Sequence, residues 1–181
     1  MHTLRPFLAG IATTLVLTSA SAASQEASNP ELAQNLFASM KALEGQWEGT
    51  AIWSGGRSGT QRLTATYRLT GGGSALVETL QMGPGATSMT TVYHLDDGIL
   101  RMTHYCLAGN QPRLRAAQIA PTAKSAVFGF VDATNLARNP AHVKRLSIEL
   151  TADHQVKLRF TFGGGNGPDA IEEIALQRLA R

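Results

Sequence analysis

The sequence predicts an all-β fold, an up-and-down antiparallel barrel of about ten strands with one helix in front of it. Three observations carry this reading. Short apolar or alternating stretches recur from residue 46 to residue 178, separated by clusters of Gly, Pro, Asp and Asn. Helical spacing of apolar residues is confined to one segment near the start. After it, only the irregular piece around Asn135 interrupts the strand pattern, so consecutive strands are expected to pair as hairpins rather than through parallel crossovers. Closing such strands into a barrel removes the edges that an open sheet would have to protect.

The first residues are set apart. Arg5 gives a positive start, Phe7 to Leu17 is a short apolar run, and Ala20-Ser21-Ala22 fits the small-x-small cleavage rule. Residues 1–22 therefore read as a signal peptide, and residues 23–181 as a mature domain that is exported, periplasmic or secreted. The apolar run is too short for a spanning helix, and no second one follows, so no membrane span is expected.

Asn29-Pro30-Glu31-Leu32 has the form of a helix start, with a capping side chain, proline at the first helical position and an acid in the first turn. Leu32, Leu36, Phe37, Met40 and Leu43 recur at helical spacing and Gly45 ends the pattern, which predicts a helix over about 30–44. The barrel follows over about 46–179. Its strands are expected near 46–53, 62–69, 75–81, 87–95, 99–106, 112–119, 124–131, 142–151, 155–162 and 169–178. Asp132 to Ala141, the longest irregular piece, is expected to cover one mouth.

Composition narrows the function classes. Lys and Arg total 16 against 13 Asp and Glu, and the basic residues are spread along the chain, so there is no nucleic-acid footprint. Cys106 is the only cysteine, so no internal disulfide supports the fold. There is no His-Glu-x-x-His, no Gly-x-Ser-x-Gly and no phosphate loop. A metal set of His94, His104 and His142 is disfavoured, because His94 points away from His104 in the simplest hairpin register. No metal and no cofactor is expected, and the chain is expected to act as a monomer.

Gly45-Gln46-Trp47-Glu48-Gly49 joins helix to first strand, where an indole can plug the base of a barrel. Arg178 ends the last strand, which neighbours the first in a closed barrel, so its guanidinium is placed to stack on Trp47. This pairing is structural. Helix, Gly-x-Trp and a closing basic residue resemble the calycin superfamily of lipocalins, fatty-acid-binding proteins and nitrobindin-like barrels. The segments LEGQWEGT, YRLTGGGSALVETL, MTTVYHLDDGILRMTHYCLAGNQPRLRA and LQRL are similar to exported bacterial proteins of unknown function near the DUF1579 and nitrobindin-like families. The resemblance implies a calycin-like barrel whose cavity holds a small, mostly apolar ligand. Nitrobindin-like relatives bind haem through a late histidine; here the only late one is His154, in a predicted turn, so haem is not carried over.

A two-residue turn at Asp97-Gly98 would pair Tyr93 with Met102 and Thr91 with His104. Alternation then puts Leu100, Met102, His104 and Cys106 on the more apolar face, taken as the inside. His104 there is either a contact for a ligand or a core histidine satisfied by Thr91, a backbone carbonyl or water. Cys106 reads as a small buried hydrophobe. Arg113 and Arg115 share a face and are candidates for an anionic group at a mouth, with Glu78 as an alternative acidic partner. Tyr67, Tyr93, Phe128, Phe130, Phe160 and Phe162 supply aromatic lining.

The sequence thus points to an exported barrel binding a small apolar or amphipathic ligand through His104, Arg113, Tyr93, Glu78 and Arg115. Two alternatives stand beside it: an enzyme using His104 as general base in the same cavity, and a structural barrel filled by its own side chains.

Overall fold

The computed structural model describes residues 29–151 and 155–180. The expected leader and the Ala152-Asp153-His154 turn lie outside the described residues. One helix, α1 (Pro30–Lys41), precedes ten strands: β1 (Gly45–Gly55), β2 (Gly59–Thr70), β3 (Ala75–Gln81), β4 (Ser88–Asp96), β5 (Ile99–Tyr105), β6 (Pro112–Ile119), β7 (Ser125–Ala133), β8 (His142–Leu150), β9 (Gln155–Gly163) and β10 (Ala170–Arg178). All pairings are antiparallel between consecutive strands, and β10 returns to β1, so the barrel is closed. No helix among the described residues is long and apolar enough to cross a membrane.

The helix starts as its sequence dictates. Asn29 Oδ1 accepts from the Glu31 and Leu32 amides, and Pro30 occupies a position whose missing N–H costs nothing. It ends at Lys41, short of the expected residue 44. Its last carbonyls, those of Ser39, Met40 and Lys41, accept from the Ala42, Leu43 and Glu44 amides in tighter i→i+3 turns, and the carbonyls that follow are taken from outside: Trp47 Nε1 donates to Leu43 O over 2.8 Å, and Arg178 donates to Ala42 O and, over 2.7 Å, to Glu44 O. The buried face of α1, Ala33, Leu36, Phe37 and Met40, plugs one end of the barrel. Each large side chain removed from water there contributes about 1.5–3 kcal/mol.

That end also holds the β4–β5 turn, where Gly98 lies against Pro30, and the β6–β7 turn, where Lys124 Nζ donates to Ser39 Oγ over 3.3 Å. The opposite end carries the β1–β2, β3–β4, β5–β6, β7–β8 and β9–β10 connections. Loop 134–141 is pinned there as the sequence predicts: Asn110 Nδ2 donates to the carbonyls of Asn139 (2.7 Å) and Ala141 (2.8 Å), and Asn135 Nδ2 to Gly109 O (3.0 Å). Lys144 and Asp169 pair at 3.0 Å beside it.

Alternation holds along most of the wall, interrupted by register shifts at Arg113/Leu114, Ala116/Gln118 and Val143/Arg145. Leu63, Ala65 and Tyr67 of β2, Leu76 and Leu80 of β3, Leu146 and Ile148 of β8, and Leu158 and Phe160 of β9 are buried, while their chain neighbours face out. The Asp97-Gly98 turn sets the predicted register, with Tyr93 opposite Met102 and Thr91 opposite His104. Asp97 takes φ 47° and Gly98 φ 79°, the left-handed pair that a two-residue hairpin requires.

Candidate functional site in the barrel interior

Among the described residues, five polar side chains are buried: Glu78, Thr91, His104, Asn110 and Glu172. Glu78, Thr91 and His104 lie side by side across β3, β4 and β5, because Glu78 is the Cα partner of Thr91 and Thr91 that of His104. The Tyr67 hydroxyl donates to Glu78 Oε2 over 2.8 Å and the Tyr93 hydroxyl to the same oxygen over 3.2 Å. Thr91 Oγ1 is 2.9 Å from His104 Nδ1. Glu78 Oε1 and His104 Nε2 have no hydrogen-bond partner.

Burial pushes the Glu78 carboxyl up to about 7, against the pull of hydrogen bonds from Tyr67, Tyr93 and Thr91. The same burial, with the Glu78 charge beside them, pushes both tyrosines well above the usual phenol range. Burial pulls His104 down to about 4, so at pH 7 its ring is neutral. The Thr91 hydroxyl has one proton. When it goes to the ionised Glu78, Thr91 Oγ1 accepts from His104 Nδ1–H and Nε2 is left as a bare lone pair.

A second buried acid stands across the barrel. Glu172 of β10 is the Cα partner of Trp53 on β1 and of Phe160 on β9, and neither of its carboxylate oxygens has a partner. Burial raises it to about 7, opposed by the charge of Arg57. Phe160 lies between the two polar groups, with its ring 5.7 Å from that of His104. Trp53 and Phe162 stack at 5.3 Å on the side away from α1, and Arg57 lies 4.1 Å over the Trp53 ring. Around Tyr93, Phe128 closes at 6.0 Å.

The candidate residues separate into two groups. His104, Tyr93 and Glu78 come together inside. Arg113 and Arg115 do not join them: on β6 it is Pro112, Leu114 and Ala116 that face inward, and both arginines face out. Arg113 makes a two-pronged pair with Asp132, with Nε at 2.5 Å from Oδ1 and Nη2 at 2.8 Å from Oδ2. Arg115 stands opposite Arg101 on the same outer surface. The acid that answers Arg113 is therefore Asp132 and not Glu78. Cys106 lies past the end of β5, only part-buried, where its sulfur accepts from the Ala108 amide at 3.5 Å. His142 stacks on Phe130 at 4.6 Å. No three His, Cys, Asp or Glu side chains among the described residues come together as a metal site.

Sequence reasoning passed over Glu172, Trp53 and the tie between Tyr67 and Glu78. The signal for Glu172 was present, since it shares a face with Ile174 and Leu176. A concavity of about 930 Å³ lies on the outer surface, bordered by Thr50, Ile52, Ser147, Lys157, Arg159 and Glu173. It touches none of the buried acids or His104.

At the plugged end, the Arg178 guanidinium lies 4.5 Å over the Trp47 ring, and their Cα atoms are partners across β1 and β10. Helix plug, Gly-x-Trp and closing arginine thus stand together on a closed, ten-stranded antiparallel barrel. The solved structures include Rv2717c from M. tuberculosis, which is 13% identical with a TM-score of 0.59, over 80% of this chain and 98% of that one. A protein of unknown function from the DUF3598 family of Nostoc punctiforme PCC 73102 is 14% identical with a TM-score of 0.36, over 77% of this chain and 48% of that one. No protein-family model and no curated protein matches the chain. The likeness to Rv2717c is one of fold.

Proposed function

We propose that this chain is an exported, monomeric binding barrel that holds a small apolar or amphipathic ligand inside, with the ligand's polar end against His104 and Glu78. One observation carries the reading: His104 Nε2 and Glu78 Oε1 are buried, unpartnered and joined through Thr91. An unsatisfied buried polar atom costs about 1–3 kcal/mol. A ligand that answers both atoms recovers that cost, and Phe128, Phe160 and Phe162 supply the apolar contact that such sites use. Export rests on the leader pattern in residues 1–22. A closed wall leaves no strand edge for pairing with a second copy.

Binding is favoured over the alternative with His104 as general base by the chemistry of that ring. A ring held down at about 4 is a weak proton acceptor at neutral pH, whereas a general base works best near the operating pH. Native mass spectrometry of protein purified without denaturation tests the proposal. A one-to-one small-molecule adduct, lost in His104→Leu, is expected. Bare protein that also takes up no amphiphile on incubation overturns it.

A further inference from the structure

We infer that the ligand's polar end is an organic cation, a protonated amine, seated over Phe160 between Glu172 and His104. The inference rests on the binding reading above and names the chemistry of that ligand. Among the described residues the unpartnered buried atoms are unevenly divided: Glu78 Oε1, both Glu172 oxygens and Asn110 Oδ1 are acceptors, and of the two donors, Trp53 Nε1 and Arg101 Nε, the second faces out and forms an ion pair with Asp96 at 2.5 Å. No lysine or arginine among the described residues is buried. The interior therefore offers negative charge and lone pairs with no cation of its own. Burying a carboxylate away from water costs several kcal/mol unless a partner of opposite charge comes with it.

The rings fit the same occupant. Phe160 has Glu172 as its neighbour on β10 and the His104 ring 5.7 Å away, so an ammonium on its face meets a carboxylate on one side and an imidazole lone pair on the other. Cations within about 6 Å of an aromatic centroid are held by the ring's quadrupole. Trp53 already receives one, the Arg57 guanidinium, which makes no hydrogen bond to either Glu172 oxygen. Phe162, 6.0 Å from Phe160 and 5.3 Å from Trp53, completes an aromatic wall on the side away from α1.

Calorimetric titration at pH 8 with dodecylamine, dodecanol and dodecanoate, each below its micelle concentration, tests this. The amine is expected to bind at least about tenfold tighter than the alcohol and the carboxylate, the size of one charge-assisted contact. Glu172→Gln is expected to lower amine affinity at least about tenfold and so abolish that preference. Alcohol or carboxylate binding as tightly as amine, or amine affinity unaltered in Glu172→Gln, overturns the cation and leaves the binding barrel standing. Binding of none of the three overturns both. If thermal melts show Glu172→Gln unfolded, the order of affinities in the unaltered protein decides the matter.

Discussion

The Tyr93 hydroxyl donates to Glu78 Oε2 over 3.2 Å, and Tyr67 donates to the same oxygen, so both phenols serve one oxygen while Oε1 faces the interior without a partner. Such one-sided solvation is enough to keep the carboxyl ordered and not enough to keep it ionised, which gives the barrel a pH response. Glu78 and Glu172 hold protons up to about pH 7 in the folded chain, against 4.5 ordinarily. Between those values the folded state binds more protons than the unfolded one, so each contribution is whole below about 4.5 and lost as pH rises through about 7. His104 runs the other way: with about 4 folded against 6.5 ordinarily, its contribution is whole above 6.5 and lost as pH falls through 4.

Two carboxyls outweigh one imidazole. Each tenfold difference in proton affinity between folded and unfolded chain is worth about 1.4 kcal/mol, so stability is expected to fall by a few kcal/mol from pH 5 to pH 8. Urea unfolding across that range reads it. In Glu78→Gln/Glu172→Gln the slope should reverse and stability rise with pH, since His104 alone remains. A flat profile in the unaltered protein contradicts the assignment. Arg57, which opposes the rise at Glu172, and Cys106, within electrostatic reach of it, are the neighbouring groups that modulate the response.

Tyr67→Phe removes the shorter of the two bonds to Glu78 while keeping the ring that packs edge-on at 5.9 Å against Trp47. A hydrogen bond to an ionised acceptor contributes about 1.5–3 kcal/mol and one to a neutral acceptor about half that. The variant should therefore lose more stability at pH 8 than at pH 5. Equal loss at both, measured by denaturant midpoints, argues that Glu78 does not change charge between them.

Arg178 closes the barrel through three contacts: the Trp47 face, Ala42 O and Glu44 O. Arg178→Met keeps the stem and removes all three, with an expected loss of about 2–4 kcal/mol in thermal or urea unfolding. Gly45→Ala should be harmful for a related reason. Its φ is 141°, and an added Cβ would come 2.7 Å from Arg178 Nη1.

Arg113 and Asp132 are about half exposed on the outer face. A double-mutant cycle with alanine at both positions is expected to return only a small coupling, weakened further by salt. Arg113→Ala should leave ligand affinity unchanged, which distinguishes an outer-surface pair from the interior role that residue type alone suggests.

Which parts of this were legible in the sequence follows from what carries period and what does not. The barrel was legible because period-two alternation and Gly-rich turns are local, and the Asp97-Gly98 turn fixed His104 opposite Thr91. Trp47 and Arg178 were legible because a closed sheet must bring its first and last strands together. The face of Arg113 was not. Pro112, Leu114 and Ala116 form a weakly apolar triplet, and a register shift between Arg113 and Leu114 further blurs the pattern. Glu172 was legible by period, since it shares a face with Ile174 and Leu176, but not by residue type: in Glu172-Glu173 one acid faces in and one faces out to Arg159.

The central claim is that ligand enters the barrel and meets His104. Nitrogen NMR of the His104 ring during titration with dodecylamine tests it most directly. The account predicts saturable one-to-one binding that shifts the Nε2 resonance as its lone pair gains a donor. Binding that leaves His104 unmoved while shifting Thr50, Ser147 and Lys157 on the outer concavity would contradict it.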